Sequence, residues 1–484
     1  MSELLFNDAK FGTWKETHNF DNCKLNRKEY GEFICDYITG EKDGFVLNLN
    51  GAWGAGKTEF LKRIYTHLIT QRHPVIYINA WESDLSKEPL AVVISELLGQ
   101  LSRLVKGIEK ETSVLNTKIH IEKIMKGLTI GLAGLASIAT TGTPTIGATV
   151  VSTMLESEPT KYIDTIVNEY SEQMDAIKAI RDSLSELAKI LNETYFANIP
   201  VVILLDELDR CRPTYAIEML EVIKHFFKTD NMVFLVATDT EQLSHSIKAV
   251  YGQGFESKDY LKRFFDRKAT LPEPDIERYL NAYTIDYSKY SKLNLFPLME
   301  RQSIEVSVNK SVALLSKAYN LHIRDIDQLM NKFESCLRLA SNASKQQYIN
   351  ILALLVGLIE HDKSEKTYDE RTNFNSPEIL INNANYKISN DLTLQKYIKI
   401  SMDSITATET NNTDRIGQTF TKISFINIRD LRASITYEHS DIYQNFIEGS
   451  AKNIQFSSED NKKNCKYWVW EDMKRAIELA GTLE

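Results

Sequence analysis

Short apolar runs alternate along the first half of the chain with segments that have helical spacing. Four runs stand out, at 45–49, 75–78, 201–205 and 232–237. Runs with almost no polar residue are typical of parallel strands covered on both faces. The segment after the first run carries apolar residues three or four apart, at Phe60, Leu61, Ile64 and Leu68. The pattern therefore predicts an α/β fold with a central, mainly parallel sheet.

The α/β alternation is interrupted between residues 105 and 199, an interval too long for a loop. Its second half carries one amphipathic stripe from Ile163 to Leu191, so we expect a helical insertion. Residues 127–154 have no charge, and Gly142 and Pro144 interrupt their apolar run. A membrane-spanning helix needs about 20 apolar residues. Membrane contact stays an alternative here, and we favour two short helices that pack within the protein or against a partner.

The pattern is mainly helical from about residue 276, and no further strands extend the sheet. Residues 363–395 and 405–420 are polar and loop-like. We expect an α-helical C-terminal region. The predicted parts are an NTP-binding core at 1–275, a helical lid at 276–345 and a partner or sensor region at 346–484.

Charge and cysteine content limit the classes of partner and compartment. Lys and Arg total 57 against 66 Asp and Glu, a formal charge of -9, so no general nucleic-acid binding is expected. The five cysteines lack metal-site spacing, which argues against a disulfide scaffold or zinc site. The N-terminal residues do not resemble a signal peptide. We expect a cytoplasmic protein, with peripheral membrane association as the alternative.

Residues 51–58, GAWGAGKT, match GxxxxGK[ST] in full and lie between a predicted strand and a predicted helix. Glycines let the backbone N–H groups of such a loop surround phosphates at a helix N-terminus. Lys57 would neutralise the β- and γ-phosphates, and the Thr58 hydroxyl would bind magnesium. We therefore expect ATP and Mg²⁺ as ligands. The expected nucleotide contacts are Gly51, Ala52, Trp53, Gly54, Ala55, Gly56, Lys57, Thr58 and Glu59.

A second motif, VVILLDELDRC, delivers acidic residues where the third predicted strand ends. Ligands of α/β proteins bind at this edge of the sheet. We expect Asp206 to hold magnesium through water and Glu207 to orient or deprotonate the attacking water, as a general base does. Asp209 is the alternative base. Acidic residues after a strand ordinarily just lie in a solvent-exposed turn. The phosphate-binding motif upstream favours a role in magnesium binding and catalysis instead.

Further residues are candidates for contact with the nucleotide. Thr238 directly follows the fourth apolar run and could sense the γ-phosphate, although a role in the turn is equally compatible. Arg263, and with less support Arg267, could act as an arginine finger on the transferred phosphoryl group. Arg324 near a predicted helix start could reach the nucleotide from a lid, and a surface ion pair is the alternative.

These motifs resemble the KAP family of P-loop NTPases over roughly residues 20–340. The resemblance rests on Trp53 in the loop 51–58, the tripeptide 79–81 (NAW), the segment 206–211 (DELDRC) and the segment 260–274 with its YLKRFF and LPEP. It implies a helical, often membrane-spanning insertion between the two motifs. Many members carry Asp where this chain has Glu207, so the resemblance leaves the base open. Bacterial members are often linked to defence against phage and mobile DNA.

Three classes of function fit these features. The first is an ATPase whose hydrolysis drives conformational change or assembly, as a homo-oligomer or with a partner protein bound through the insertion and the C-terminal region. The second is an ATP-dependent scaffold with negligible turnover. The third is a kinase that transfers the phosphoryl group to another molecule, although no sequence motif indicates a binding pocket for such an acceptor. Adenine is preferred because NKSV, NKFE and NKKN lack the acid of the NKxD guanine signature.

Overall fold

The computed structural model contains two compact units, Met1–Glu273 and Pro274–Glu484. Most of the expected insertion, including the uncharged segment 127–154, lies outside the described residues. The structure describes residues 9–41, 43–86, 89, 92–93, 95–97, 99–101, 103, 178, 180–193, 196–226, 229–283, 285–298, 303–390, 392–413, 419–425 and 465–482.

The first unit contains a five-stranded sheet in which every neighbouring pair is parallel. Its strands are β1 (Asp43–Asn50), β2 (Val75–Asn79), β3 (Val201–Asp206), β4 (Met232–Thr238) and β5 (Arg267–Thr270). Their order is β2-β3-β4-β1-β5. The four apolar runs are thus confirmed as strands. The sequence did not reveal β5, because this short edge strand is polar and largely exposed.

Helices cover this sheet and supply much of its core. They are α1 (Trp14–Thr17), α2 (Lys28–Gly40), α3 (Lys57–Thr70), α4 (Pro213–Phe226), α5 (Thr240–Tyr251) and α6 (Ser257–Leu261), with a 3-10 turn at Leu208–Arg210. Strands β3 and β4 are buried along their whole length. Residues 180–193 are helical, and the predicted apolar stripe is buried there at Ile180, Leu184, Leu187 and Leu191.

The second unit is mainly helical around one helix, Ile351–Lys363, whose first ten residues are all buried. Its helices are α7 (Ile276–Asn281), α8 (Ile304–Tyr319), α9 (Ile323–Ser341), α10 (Ile351–Lys363), α11 (Glu365–Glu370), α12 (Leu394–Ser404) and α13 (Trp470–Gly481), with a 3-10 turn at Tyr287–Tyr290. No helix within the described ranges has both the length and the apolar character needed to cross a membrane. The predicted separation of a lid from a partner region within this unit stays a prediction.

Two groups of strands in the second unit were not expected from the sequence. These strands are β6 (Asn294–Phe296), β7 (Gln346–Asn350), β8 (Ala407–Thr413), β9 (Thr419–Phe425) and β10 (Cys465–Tyr467). A parallel sheet has the order β10-β7-β6, and β8 pairs with β9 in antiparallel orientation. The interpretation of 405–420 as a loop was wrong because β8 is polar at nearly every position, so apolar alternation could not mark it.

Gly31 in α2 permits close contact with Phe20, since a Cβ at position 31 would lie 2.1 Å from the Phe20 Cζ. We predict that Gly31→Ala destabilises the protein by about 1–3 kcal/mol, the usual cost of overpacking. Gly40→Ala is the matched control, because a Cβ there meets nothing within 4 Å. Denaturant unfolding of both variants measures the difference, and equal stability would contradict the assigned packing.

Candidate nucleotide-binding site

Parallel pairing brings the carboxyl ends of four strands to one edge of the sheet. Asn50 at the end of β1 lies opposite Thr238 in β4, and Asn79 at the end of β2 lies opposite Asp206 in β3. Strand β4 separates β1 from β3. The phosphate loop (residues 51–58) and the acidic segment (residues 206–209) therefore meet at this edge, although they are far apart in the sequence.

The conformation of the phosphate loop depends on its glycines. Gly54 and Gly56 have φ values of +79° and +84°, and Gly56 directly precedes α3. A Cβ on Gly51 would lie 3.3 Å from Lys57 Cγ and 3.4 Å from Leu271 Cβ, so this glycine serves close packing. The first N–H groups of a helix have no acceptor within the helix and favour an anion. The loop and the start of α3 thus have the form of a phosphate cradle.

Lys57 lies within the loop with only 8% of its side chain exposed. Its Nζ donates to the carbonyl oxygen of Gly51 at 2.8 Å and to that of Ala52 at 3.4 Å. The Asp209 Oδ2 lies 3.4 Å from the same nitrogen. The Asp209 Oδ1 is buried and has no hydrogen-bond partner among the described residues. A buried ammonium needs a counter-charge, and Asp209 supplies it in this structure.

Asp206 is completely buried at the end of β3. Its Oδ2 accepts a hydrogen bond from the Tyr77 hydroxyl at 2.8 Å, and its Oδ1 accepts from the Glu207 N–H at 2.9 Å. Burial raises the pKa of Asp206 to about 6, while hydrogen bonds from Tyr77 and Thr58 oppose this shift. At neutral pH the carboxyl group is therefore mostly ionised, as a cation ligand must be.

Glu207 adopts a left-handed conformation with φ of +59°, which turns the chain out of β3. Its Oε1 lies 2.8 Å from an Arg210 guanidinium nitrogen and accepts from the Thr58 hydroxyl at 3.4 Å. Its Oε2 accepts from the Asn79 amide at 3.4 Å. The Arg210 guanidinium lies 5.9 Å from the centre of the Trp81 ring. The two candidate bases thus have different neighbours, since Glu207 contacts Thr58 and Asp209 contacts Lys57.

A model of the KAP family P-loop domain matches residues 27–340. The chain belongs to the KAP family. This finding confirms the resemblance inferred from the motifs, and it points to nucleotide binding and hydrolysis. The comparison with curated proteins finds no match.

In this KAP-family chain, Thr238 and Asp239 hold the phosphate loop through hydrogen bonds. The Thr238 carbonyl accepts a hydrogen bond from the Gly51 N–H at 3.1 Å, and the buried Thr238 hydroxyl accepts one from the Asn48 amide at 2.8 Å. The Asp239 carboxylate accepts from the Trp53 N–H at 3.1 Å and also caps α5. These contacts give Thr238 and Asp239 structural roles at the loop, and γ-phosphate sensing by Thr238 stays a prediction.

Four further residues were considered as nucleotide contacts from the sequence. The Glu59 carboxylate lies 3.0 Å from an Arg63 guanidinium nitrogen. Arg263 is exposed in the turn after α6, and Arg267 is the exposed first residue of β5. Arg324 belongs to the first turn of α9 in the second unit. Nucleotide contact by these four residues, including a finger role for Arg263, stays a prediction.

Arg27 is a site residue that the sequence analysis missed. Its side chain is buried, and its guanidinium donates to the Ala55 carbonyl at 2.7 Å and to the Pro272 carbonyl at 2.5 Å. Burial lowers the pKa of Arg27 to about 10, so the group stays charged at neutral pH. It lies before β1, and no local pattern marks it. Arg27 therefore adds positive charge to the phosphate loop and ties this loop to the segment after β5.

We predict that Arg27→Met raises the Kd for ATP about tenfold to a hundredfold. The reason is the loss of charge-assisted hydrogen bonds, each worth about 1.5–3 kcal/mol. Lys28→Met is the control, because it removes a neighbouring charge that is paired with Asp21 on the surface. Calorimetric titration measures both variants. An unchanged Kd in a folded Arg27→Met protein would show that Arg27 does not support the loop.

Proposed function

We propose that this chain binds Mg-ATP at the phosphate loop and hydrolyses it. The supporting observation is the buried Lys57 ammonium inside a glycine-shaped loop, with Asp209 as its only acidic partner within the described residues. The β- and γ-phosphates of ATP carry the charge that such an ammonium neutralises in P-loop proteins. Binding would exchange the Asp209 contact for a phosphate contact. The missing guanine signature supports adenine as the base.

The residues beside the loop fit a magnesium ion. Mg²⁺ prefers oxygen ligands, and it is usually held by one or two protein groups together with waters and phosphates. The Thr58 hydroxyl and the Asp206 carboxylate are hydrogen-bonded neighbours of this chemical type. When bound, the ion would neutralise charge on the phosphate oxygens. Thr58 and Asp206 would hold it directly or through water.

We assign the general base to Glu207. Its carboxylate contacts the Thr58 hydroxyl, on the side proposed for the metal, and it is oriented by Arg210 and Asn79. A carboxylate held there could orient a water and take its proton. Asp209 instead faces Lys57, so we assign it the role of counter-charge in the absence of nucleotide.

Hydrolysis would drive conformational change or assembly, in a homo-oligomer or with a partner protein. The insertion and the C-terminal region are the proposed contact surfaces. The resemblance to bacterial KAP members supports a role in defence against phage or mobile DNA, in the cytoplasm. If Arg263 acts as a finger between subunits, specific activity should rise with protein concentration.

Replacing Lys57 with Ala should abolish ATP binding, because it removes the only lysine of the phosphate loop. Calorimetric titration with ATP and magnesium tests this expectation, and circular dichroism checks that the variant is folded. Unchanged affinity in a folded variant would refute the assignment of the loop as the phosphate site.

Glu207→Gln should retain ATP binding and lower the hydrolysis rate by about 10²–10⁴, the usual contribution of a general base. Asp209→Asn is its matched control, because it also neutralises one carboxylate of the acidic segment. We expect this control to keep measurable turnover. Phosphate release measured at saturating ATP separates the two. The reverse result would make Asp209 the base, and negligible turnover in the wild type would favour the scaffold.

A further inference from the structure

The hydrogen bond between Tyr77 and Asp206 is a buried polar contact next to the proposed metal site. Tyr77 is only 4% exposed, and its hydroxyl lies 2.8 Å from the Asp206 Oδ2. The other carboxylate oxygen accepts from the Glu207 N–H. Both oxygens of Asp206 therefore have a donor, and the carboxylate plane is fixed before any cation arrives. Groups that orient a metal ligand in this way influence metal affinity strongly.

The Tyr77 ring is held in place by aromatic residues of the N-terminal segment. Phe11 and Trp14 pack edge-on against it, with ring centres 5.4 Å and 5.0 Å away. The Phe11 and Trp14 rings are themselves stacked at 4.3 Å. Tyr65 from α3 packs against both, at 5.9 Å and 5.3 Å. The orientation of the Tyr77 hydroxyl thus depends on packing by residues that precede the whole sheet.

A cavity of about 400 Å³ borders this cluster. Phe11, Trp14, Tyr77, Thr58 and Asn79 are among the residues that line it. Two of these, Thr58 and Asn79, also contact Glu207. The cavity is large enough and polar enough to admit water. If the Tyr77 hydroxyl were removed, water from this side could solvate Asp206, and the carboxylate would lose its fixed orientation.

We propose that Tyr77 is a positioning residue for the magnesium site, and that Phe11 and Trp14 of the N-terminal segment hold it in place. This inference rests on the proposed function, in which Asp206 serves the metal. Through this chain of contacts the N-terminal segment sets the affinity of the nucleotide site for Mg²⁺. Tyr77 itself does not touch the nucleotide in this account, so the affinity for metal-free ATP is independent of it.

The test compares Tyr77→Phe with Tyr65→Phe in the full chain. Tyr65 is equally buried in the same cluster, but its hydroxyl bonds the backbone of Phe11 and not Asp206. ATP binding is measured by calorimetry in EDTA and across a Mg²⁺ titration. For Tyr77→Phe we expect the Mg²⁺ concentration at half-saturation to rise about tenfold, with the Kd for ATP in EDTA unchanged. Tyr65→Phe loses only a contact to Phe11, so it should shift the Mg²⁺ dependence less than Tyr77→Phe does and leave the Kd for ATP in EDTA unchanged.

An unchanged Mg²⁺ dependence in folded Tyr77→Phe, or an equal shift in Tyr65→Phe, would overturn the positioning role. Trp14→Leu tests the part played by the N-terminal segment and should shift the Mg²⁺ dependence in the same direction. If it does not, that part of the inference is wrong while the role of Tyr77 stands. A wild-type chain that binds no ATP, or binds it equally with and without Mg²⁺, would instead refute the proposed function and the inference together.

Discussion

The buried ion pair of Lys57 and Asp209 is the interaction on which the site depends. A charged ammonium can lie inside a protein only if other groups compensate for the lost water. Here two loop carbonyls and one carboxylate do so, with Lys57 held at 2.8 Å from the Gly51 oxygen. This contact needs a loop that folds back over its own lysine, and the close packing at Gly51 allows it. The ion pair thus connects the loop conformation to the acidic segment.

Three acids within four residues acquire different surroundings because the chain changes direction after β3. Asp206 ends the strand and stays in the core, where Tyr77 binds it. Glu207 then adopts a left-handed conformation, and its carboxylate accepts a hydrogen bond from the Thr58 hydroxyl. The following 3-10 turn places Asp209 beside Lys57. One short segment can therefore supply a proposed metal ligand, a proposed base and a counter-charge.

The sequence alone predicted those strands and site residues that a local pattern of residues indicates. Four apolar runs predicted four strands, and parallel pairing at a common edge explains why two distant motifs meet. Arg27 and Tyr77 could not be found in this way, because their contacts depend on the folded chain. Arg27 reaches the Pro272 carbonyl, 245 positions away, and Tyr77 reaches Asp206, 129 positions away. The polar edge strands β5 and β8 were not predicted either, because neither has apolar residues that recur on one face.

The central claim is that a phosphate chain takes the place of Asp209 beside Lys57. Calorimetric titration of the full chain with a non-hydrolysable ATP analogue and with AMP, both in the presence of magnesium, tests it most directly. AMP lacks the β- and γ-phosphates, and each lost charge-assisted contact costs about 1.5–3 kcal/mol, or roughly tenfold in Kd for every 1.4 kcal/mol. The account predicts one analogue bound per chain and AMP binding at least about a hundredfold weaker. Equal affinity for the two ligands, or no saturable binding of the analogue, would contradict it.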